Sequence, residues 1–325
     1  MRIGRFLLAA AALFAVGAYL GNTNLLAPRP DGKPMLLAHR GVAQTYPSEG
    51  LENDTCTATR IRPPEHDFLE NTIPSMQAAF AAGADVVELD VHPTTDGQFA
   101  VFHDWTVDCR TDGRGVTREK SLSDLKALDI GYGYTADGGK TFPFRGTGVG
   151  LLPSLDEVLA AFPDKRLLIN IKSRDAEEGR KLAARLATLS AEARARLTVY
   201  GNDTPIDALR ETLPEMRTMG RRSLQRCLIT YLGIGWSGYV PESCRNTMLL
   251  VPSNYAWILW GWPNRFLTRM RDAGTEVYMV GPYTGRAFTT GIDTALDVGG
   301  LPEDYNGGIW TNRIQAIAPL VDPKR

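Results

Sequence analysis

From Gly83 the chain reads Gly83–Ala84–Asp85–Val86–Val87–Glu88–Leu89–Asp90–Val91–His92. Side chains alternate across a strand, so Glu88, Asp90 and His92 share one face and Val87, Leu89 and Val91 the other. The flanking valines argue against an edge facing water. Strands of a parallel barrel are normally apolar on both faces. Two inward carboxylates two residues apart would repel by about 1–4 kcal/mol unless a cation neutralised them. A hard divalent cation, Mg2+ or Ca2+, is the natural partner for such oxygens.

Outward from this stretch, short β-rich runs alternate with amphipathic segments. Strands are expected at Met35–Ala38, Asp85–Val91, Phe99–His103, Arg166–Ile171, Leu197–Tyr200, Thr247–Val251, Glu276–Val280 and Gly308–Thr311. Helical spacing marks Thr72–Ala82, Ser121–Leu128, Ser154–Phe162, Asp175–Leu189, Pro205–Leu213 and Asn264–Ala273. Ser121 and Ser154 each precede acidic residues, a good helix start. About eight strands with intervening helices fit an α/β fold of the (β/α)8 TIM-barrel type, as one domain over 35–320. An open doubly wound sheet competes, but no Gly-rich dinucleotide fingerprint follows the first strand. Two irregular stretches stand out: an insertion at 47–70 and the segment 131–150, which holds seven glycines. Loops after barrel strands lie on the catalytic face.

The 325 residues carry 36 Lys+Arg against 37 Asp+Glu, a net charge of −1, with 22% charged and 43% hydrophobic residues. That balance excludes a disordered tail, a coiled coil and a nucleic-acid binder relying on bulk positive charge. Residues 1–24 stand apart as a signal peptide or signal anchor. Arg2 and Arg5 precede an uncharged run, Phe6 to Leu20, and then Gly21, Asn22, Thr23 and Asn24. Those fifteen residues fall short of the roughly 20 that span a bilayer untilted. Cleavage after Ala18 is conceivable, and an uncleaved segment would anchor the chain through residues 6–20. The expected location is outside the cytoplasm, either periplasmic or attached to the inner membrane. Four cysteines in an oxidising compartment imply two disulfides. Of the three pairings, Cys56–Cys109 with Cys227–Cys244 is the least costly.

The first strand ends in Ala38–His39–Arg40–Gly41, and a later one in Phe102–His103–Asp104. Two imidazoles on opposite sides of a phosphate can act as general base and general acid near neutral pH. Ile169–Asn170–Ile171–Lys172 ends another strand in a lysine, which beside Arg40 suits a phosphate better than an uncharged substrate.

These residues resemble the glycerophosphodiester phosphodiesterase family. The likeness rests on His39–Arg40–Gly41, Glu70–Asn71–Thr72, Gly83–Ala84–Asp85 leading to Glu88–Leu89–Asp90–Val91, Thr95–Asp96–Gly97 and His103–Asp104. It continues through Thr111–Asp112–Gly113, Leu152–Pro153–Ser154–Leu155 and Ile171–Lys172. It is dense over 35–175 and thin thereafter. The resemblance implies a TIM-type barrel with a divalent metal, hydrolysing glycerophosphodiesters to sn-glycerol 3-phosphate and an alcohol. It further implies His39 and His103 as the acid/base pair, Arg40 and Lys172 on phosphate oxygens, and Glu88, Asp90 and Asn170 as metal ligands. Glu70 falls at the rim of the site or behind the ligands.

The family usually has a carboxylate where Asn170 stands, and commonly Asp where Asn312 stands. An amide oxygen brings no charge, so weaker metal binding is expected. Two other readings stay open. One is a phospholipase-like enzyme, resembling sphingomyelinase D or a phosphatidylinositol-specific phospholipase C. Tyr255, Trp257, Trp260 and Trp262 either touch lipid in that case or pack the core. The other is a binding relative with decayed chemistry, motivated by Asn170.

Overall fold

The computed structural model describes residues 2–28, 32–52, 55–285, 290–303 and 305–321. Its strands are β1 (Met35–Ala38), β2 (Val86–Pro93), β3 (Phe99–Val101), β4 (Arg166–Ile171), β5 (Leu197–Gly201), β6 (Arg217–Gly220), β7 (Met248–Pro252), β8 (Glu276–Val280) and β9 (Gly308–Thr311). Eight of them pair in parallel in the order β6-β5-β4-β2-β1-β9-β8-β7. A single parallel bridge, Thr218 with Thr247, links the two ends of that order. The result is a nearly closed (β/α)8 barrel.

One expected stave is not a stave. The run Phe99–His103 becomes β3, which pairs antiparallel with the end of β2 as a hairpin outside the barrel wall. The eighth stave is β6, absent from the sequence reading because Arg217–Thr218–Met219–Gly220 is short and lacks an apolar run. His103 still reaches the barrel mouth, because Phe102 N–H donates to Asp90 O at 3.0 Å just beyond the hairpin.

The alternation read in β2 holds. Val86 points into the barrel among Leu37, Leu168, Met219, Met248, Tyr278 and Trp310, and Glu88 and Asp90 continue the same inward face. Val87, Leu89 and Val91 join the larger apolar cluster between barrel and helices. The helices start where hydroxyls cap them: Thr72, Ser121 and Ser154 each form a reciprocal capping box with the residue three positions on. Such a cap stabilises by about 1 kcal/mol.

The two irregular stretches are not independent loops. Ala58, Ile61 and Leu69 of the insertion pack with Tyr134 and Phe144 of the glycine-rich segment and with Phe102 and Ile130. Gly133 is required there, since a Cβ would fall 1.9 Å from the Cys109 carbonyl oxygen. Both expected disulfides are formed, Cys56–Cys109 and Cys227–Cys244. The N-terminal helix, Arg2–Asn22, extends past the apolar run at both ends, and its stretch Arg5–Asn22 is long and apolar enough to cross a membrane. None of that stretch is buried against the barrel.

Candidate active site

The carboxyl ends of β1, β2, β4 and β5 converge on a cavity of about 1090 Å³, lined among others by His39, Arg40, His103, Asn170, Lys172 and Tyr200. Register sets its floor: Asp90 lies across from Asn170, and Asn170 across from Tyr200. Tyr200 OH donates to Glu88 Oε1 at 2.7 Å, and Asn170 Nδ2 to Asp90 Oδ1 at 2.8 Å. Asn71 Nδ2 donates to Asp90 Oδ2 at 3.0 Å. Arg40 Nε lies 3.1 Å from Asp90 Oδ2, and Lys172 Nζ lies 3.6 Å from Asp90 Oδ1. Every residue expected at the chemistry is therefore gathered at one mouth. Glu70 is not at the rim. It is buried behind the site, accepting from Arg40 on one oxygen and Arg110 on the other.

The His39–Arg40–Gly41 run is shaped by backbone. Arg40 adopts φ +60°, a left-handed conformation that costs a side-chain-bearing residue about 1–3 kcal/mol. Its N–H donates to Glu88 Oε2, and its guanidinium is held by Asp90 and Glu70. Gly41, at φ +78°, leaves no room for a Cβ, which would fall 2.6 Å from Ser75 Oγ. Asn71 repeats the pattern, with φ +60° and both amide groups on Asp90.

Each histidine is oriented through Nδ1. His103 Nδ1 lies 2.6 Å from Asp104 Oδ1, and Arg110 Nε donates to the other Asp104 oxygen at 2.9 Å. His39 Nδ1 lies 2.6 Å from Asn312 Oδ1. Asn312 Nδ2 donates to Asp293 Oδ2, which fixes the amide so that its oxygen faces the ring. Facing acceptors, both Nδ1 atoms carry the proton, leaving both Nε2 atoms unprotonated. Burial, then Arg40 and Lys172, pushes His103 down to about 4. Burial, then Arg40, holds His39 well below its ordinary value. Both rings are neutral at pH 7.

The carboxylates diverge. Burial, then the charge of Asp90, pushes Glu88 up to about 8. Burial would raise Asp90 too, but Lys172 and then Arg40 outweigh it and hold Asp90 well below the usual range. Among the described residues no three His, Cys, Asp or Glu side chains gather as a metal centre. The donor set on β2 and β4 is two carboxylates and one amide, all hard oxygens, which suits a cation that keeps waters and substrate oxygens. Glu88 retains lone pairs beyond Tyr200 and Arg40, and Lys172 is the loosest of the Asp90 partners. The residues fit a hard divalent cation with Asn170 as the neutral third donor.

Four groups escaped the sequence reading: Tyr200, Asn71 and Arg110 at the site, and Asp293 behind Asn312. Asn71 stood within a quoted motif, Glu70–Asn71–Thr72, and Arg110 follows Cys109. Tyr200 and Asp293 carried no local signal.

Known proteins resemble this chain in sequence and in fold. A glycerophosphodiester phosphodiesterase from Caldanaerobacter subterraneus subsp. tengcongensis is 34% identical over 140 residues, covering 43% of this chain and 45% of that protein. The chain thus spans about half the length of that curated relative. The solved glycerophosphoryl diester phosphodiesterase domain of the uncharacterized protein Rv2277c from Mycobacterium tuberculosis has a similar fold, with TM-score 0.62 and 17% identity over 88% of this chain and 98% of that one. An Oleispira antarctica phosphodiesterase, solved in complex with the product sn-glycerol-3-phosphate, matches with TM-score 0.54 and 18% identity over 89% and 97%. The family pattern described as glycerophosphoryl diester phosphodiesterase matches residues 39–209, from His39 through β2, β4 and β5, and the chain belongs to that family.

Proposed function

We propose that this protein hydrolyses glycerophosphodiesters to sn-glycerol 3-phosphate and an alcohol, with His39 as general base and His103 as general acid. The observation that carries the reading is the meeting of two Nδ1-anchored imidazoles with Arg40 and Lys172 at one cavity. Arg40 and Lys172 hold phosphate oxygens. His39 Nε2 takes the proton of the attacking water as its oxygen bonds to phosphorus. His103, neutral in the empty site, takes up a proton from solvent at Nε2 as the anionic phosphodiester binds, and delivers it to the alcohol oxygen as the phosphorus–oxygen bond breaks. The roles follow from the supports: the Asp104 carboxylate stabilises an imidazolium on His103, whereas the Asn312 amide leaves His39 a neutral base. Glu88, Asp90 and Asn170 would hold Mg2+ or Ca2+, which supplies positive charge to the phosphoryl oxygens. The product bound in the Oleispira antarctica enzyme supports the same substrate class here.

The two disulfides fit an oxidising compartment. The exposed apolar helix is read as an anchor, with Arg5 on the cytoplasmic side and the barrel outside. Release of glycerol 3-phosphate from glycerophosphocholine, with and without EDTA, tests the proposal. No release under any metal condition would leave a binding relative, and release indifferent to EDTA would remove the cation.

A further inference from the structure

We infer that the surface around the base of the N-terminal helix, carried by residues 229–239 and 255–260, seats in the headgroup region of a phospholipid bilayer. The inference rests on the reading of residues 5–22 as membrane-inserted. Beyond residue 26, fourteen large hydrophobic side chains are exposed among the described residues, and eight lie in these two short stretches. Chief among them are Ile234, Trp236, Tyr239, Trp257, Ile258 and Trp260. Trp257 is 75% exposed.

The two stretches form one surface. Trp260 Nε1 donates to Leu232 O at 2.8 Å, and Tyr231 OH donates to Trp260 O at 2.9 Å. The helix end is fastened to that surface. Asn22 Nδ2 donates to Trp236 O at 2.8 Å, and Asn24 Nδ2 to Trp262 O at 2.5 Å. Arg269 donates to Gly21 O and Asn22 Oδ1, and Arg265 to Thr23 O. These guanidiniums satisfy carbonyls that a helix end leaves without partners. Phe14 packs edge-on against Trp236, with ring centroids 4.7 Å apart. Phe14 is eight residues before Asn22, roughly 12 Å along the helix. The helix therefore leaves at a slant, leaning over the aromatic surface rather than standing away from it.

The occupant follows from continuity. A bilayer that takes up the apolar helix meets these side chains next, because residues 229–239 bond the helix end and residues 255–260 are bonded to that stretch. Trp and Tyr, with an apolar body and a polar edge, are the residues that settle at the boundary of headgroups and acyl chains. The aromatic segment read from sequence is thus divided: Trp262 packs against the core, while Trp257 and Trp260 face out.

The full chain, reconstituted in phosphatidylcholine vesicles, tests this. Flotation reads the anchor, and quenching of tryptophan emission by lipids brominated near the headgroup reads the surface. Three of the six tryptophans are expected to be quenched, so a Trp236→Phe/Trp257→Phe/Trp260→Phe variant should lower the quenching by about twofold or more. Its turnover of soluble glycerophosphocholine should be unchanged, which also reports that it folds. Trp257→Phe alone, at the most exposed position, should remove part of the quenching without risk to the fold. A chain that does not float overturns the anchor and the surface with it. A chain that floats, but is unquenched or is quenched equally in all three forms, overturns the surface alone.

Discussion

His103 rests on a carboxylate that Arg110 in turn neutralises, whereas His39 rests on the neutral amide of Asn312, whose orientation Asp293 sets. Both arms hold Nδ1 at 2.6 Å and aim Nε2 at the site. Their electrostatics differ: both acceptors favour a protonated ring, but the Asp104 carboxylate brings a negative charge to His103 and the Asn312 amide brings none to His39. Like geometry with unlike charge is how one site separates an acid from a base. The supports also come from different parts of the chain. Asp104 and Arg110 sit on the segment just after β3, beside the Cys56–Cys109 bridge, and Asn312 and Asp293 come from the C-terminal part of the barrel.

The largest effect expected is loss of either imidazole. His39→Ala and His103→Ala should each lower kcat by about 10²–10⁴-fold with the circular dichroism spectrum unchanged. Turnover within tenfold of wild type would remove that histidine from the chemistry. Next come the supports, which should separate the arms. Asp104→Asn removes a charge-assisted bond of about 1.5–3 kcal/mol, roughly ten- to a hundredfold in kcat. Asn312→Ala removes a neutral one of about 0.5–1.5 kcal/mol, roughly tenfold or less. Equal losses would mean that the two arms are not electrostatically distinct.

The metal supplies the third measure. EDTA should abolish activity reversibly, and Asn170→Asp should lower the cation concentration for half-maximal activity by about tenfold, a carboxylate being a stronger ligand than an amide. Without cation that variant sets a carboxylate against Asp90, so its Tm should fall and recover on adding Mg2+ or Ca2+. A cation dependence identical to wild type would take Asn170 out of the ligand set. The smallest catalytic effect concerns the bridges. Each should stabilise by about 2–4 kcal/mol, but only Cys56→Ala/Cys109→Ala should also reduce kcat/KM. Both of those cysteines line the cavity, and Cys109 adjoins the arginine that holds Asp104. Equal activity in Cys56→Ala/Cys109→Ala and Cys227→Ala/Cys244→Ala would uncouple the insertion from the His103 arm.

The sequence by itself determined whatever follows from local alternation and local chain geometry. Val86–His92 could place Glu88 and Asp90 on one inward face because a strand has period two. Ser121 and Ser154 marked helix starts because capping acts within three residues. His39, Arg40, His103 and Lys172 were legible as ends of apolar runs. Tertiary structure decided what depends on register and closure. β3 became a hairpin and β6 a stave because pairing partners, not composition, assign a short strand its role. Tyr200 reaches Glu88 from 112 positions away, and Asn312 reaches His39 from 273. Such partners meet only once the barrel has set strand order, and no periodicity within either segment encodes the encounter. The placing of Glu70 behind the site and the division of the late aromatics between core and surface belong to the same class, since both depend on which neighbours the closed barrel supplies.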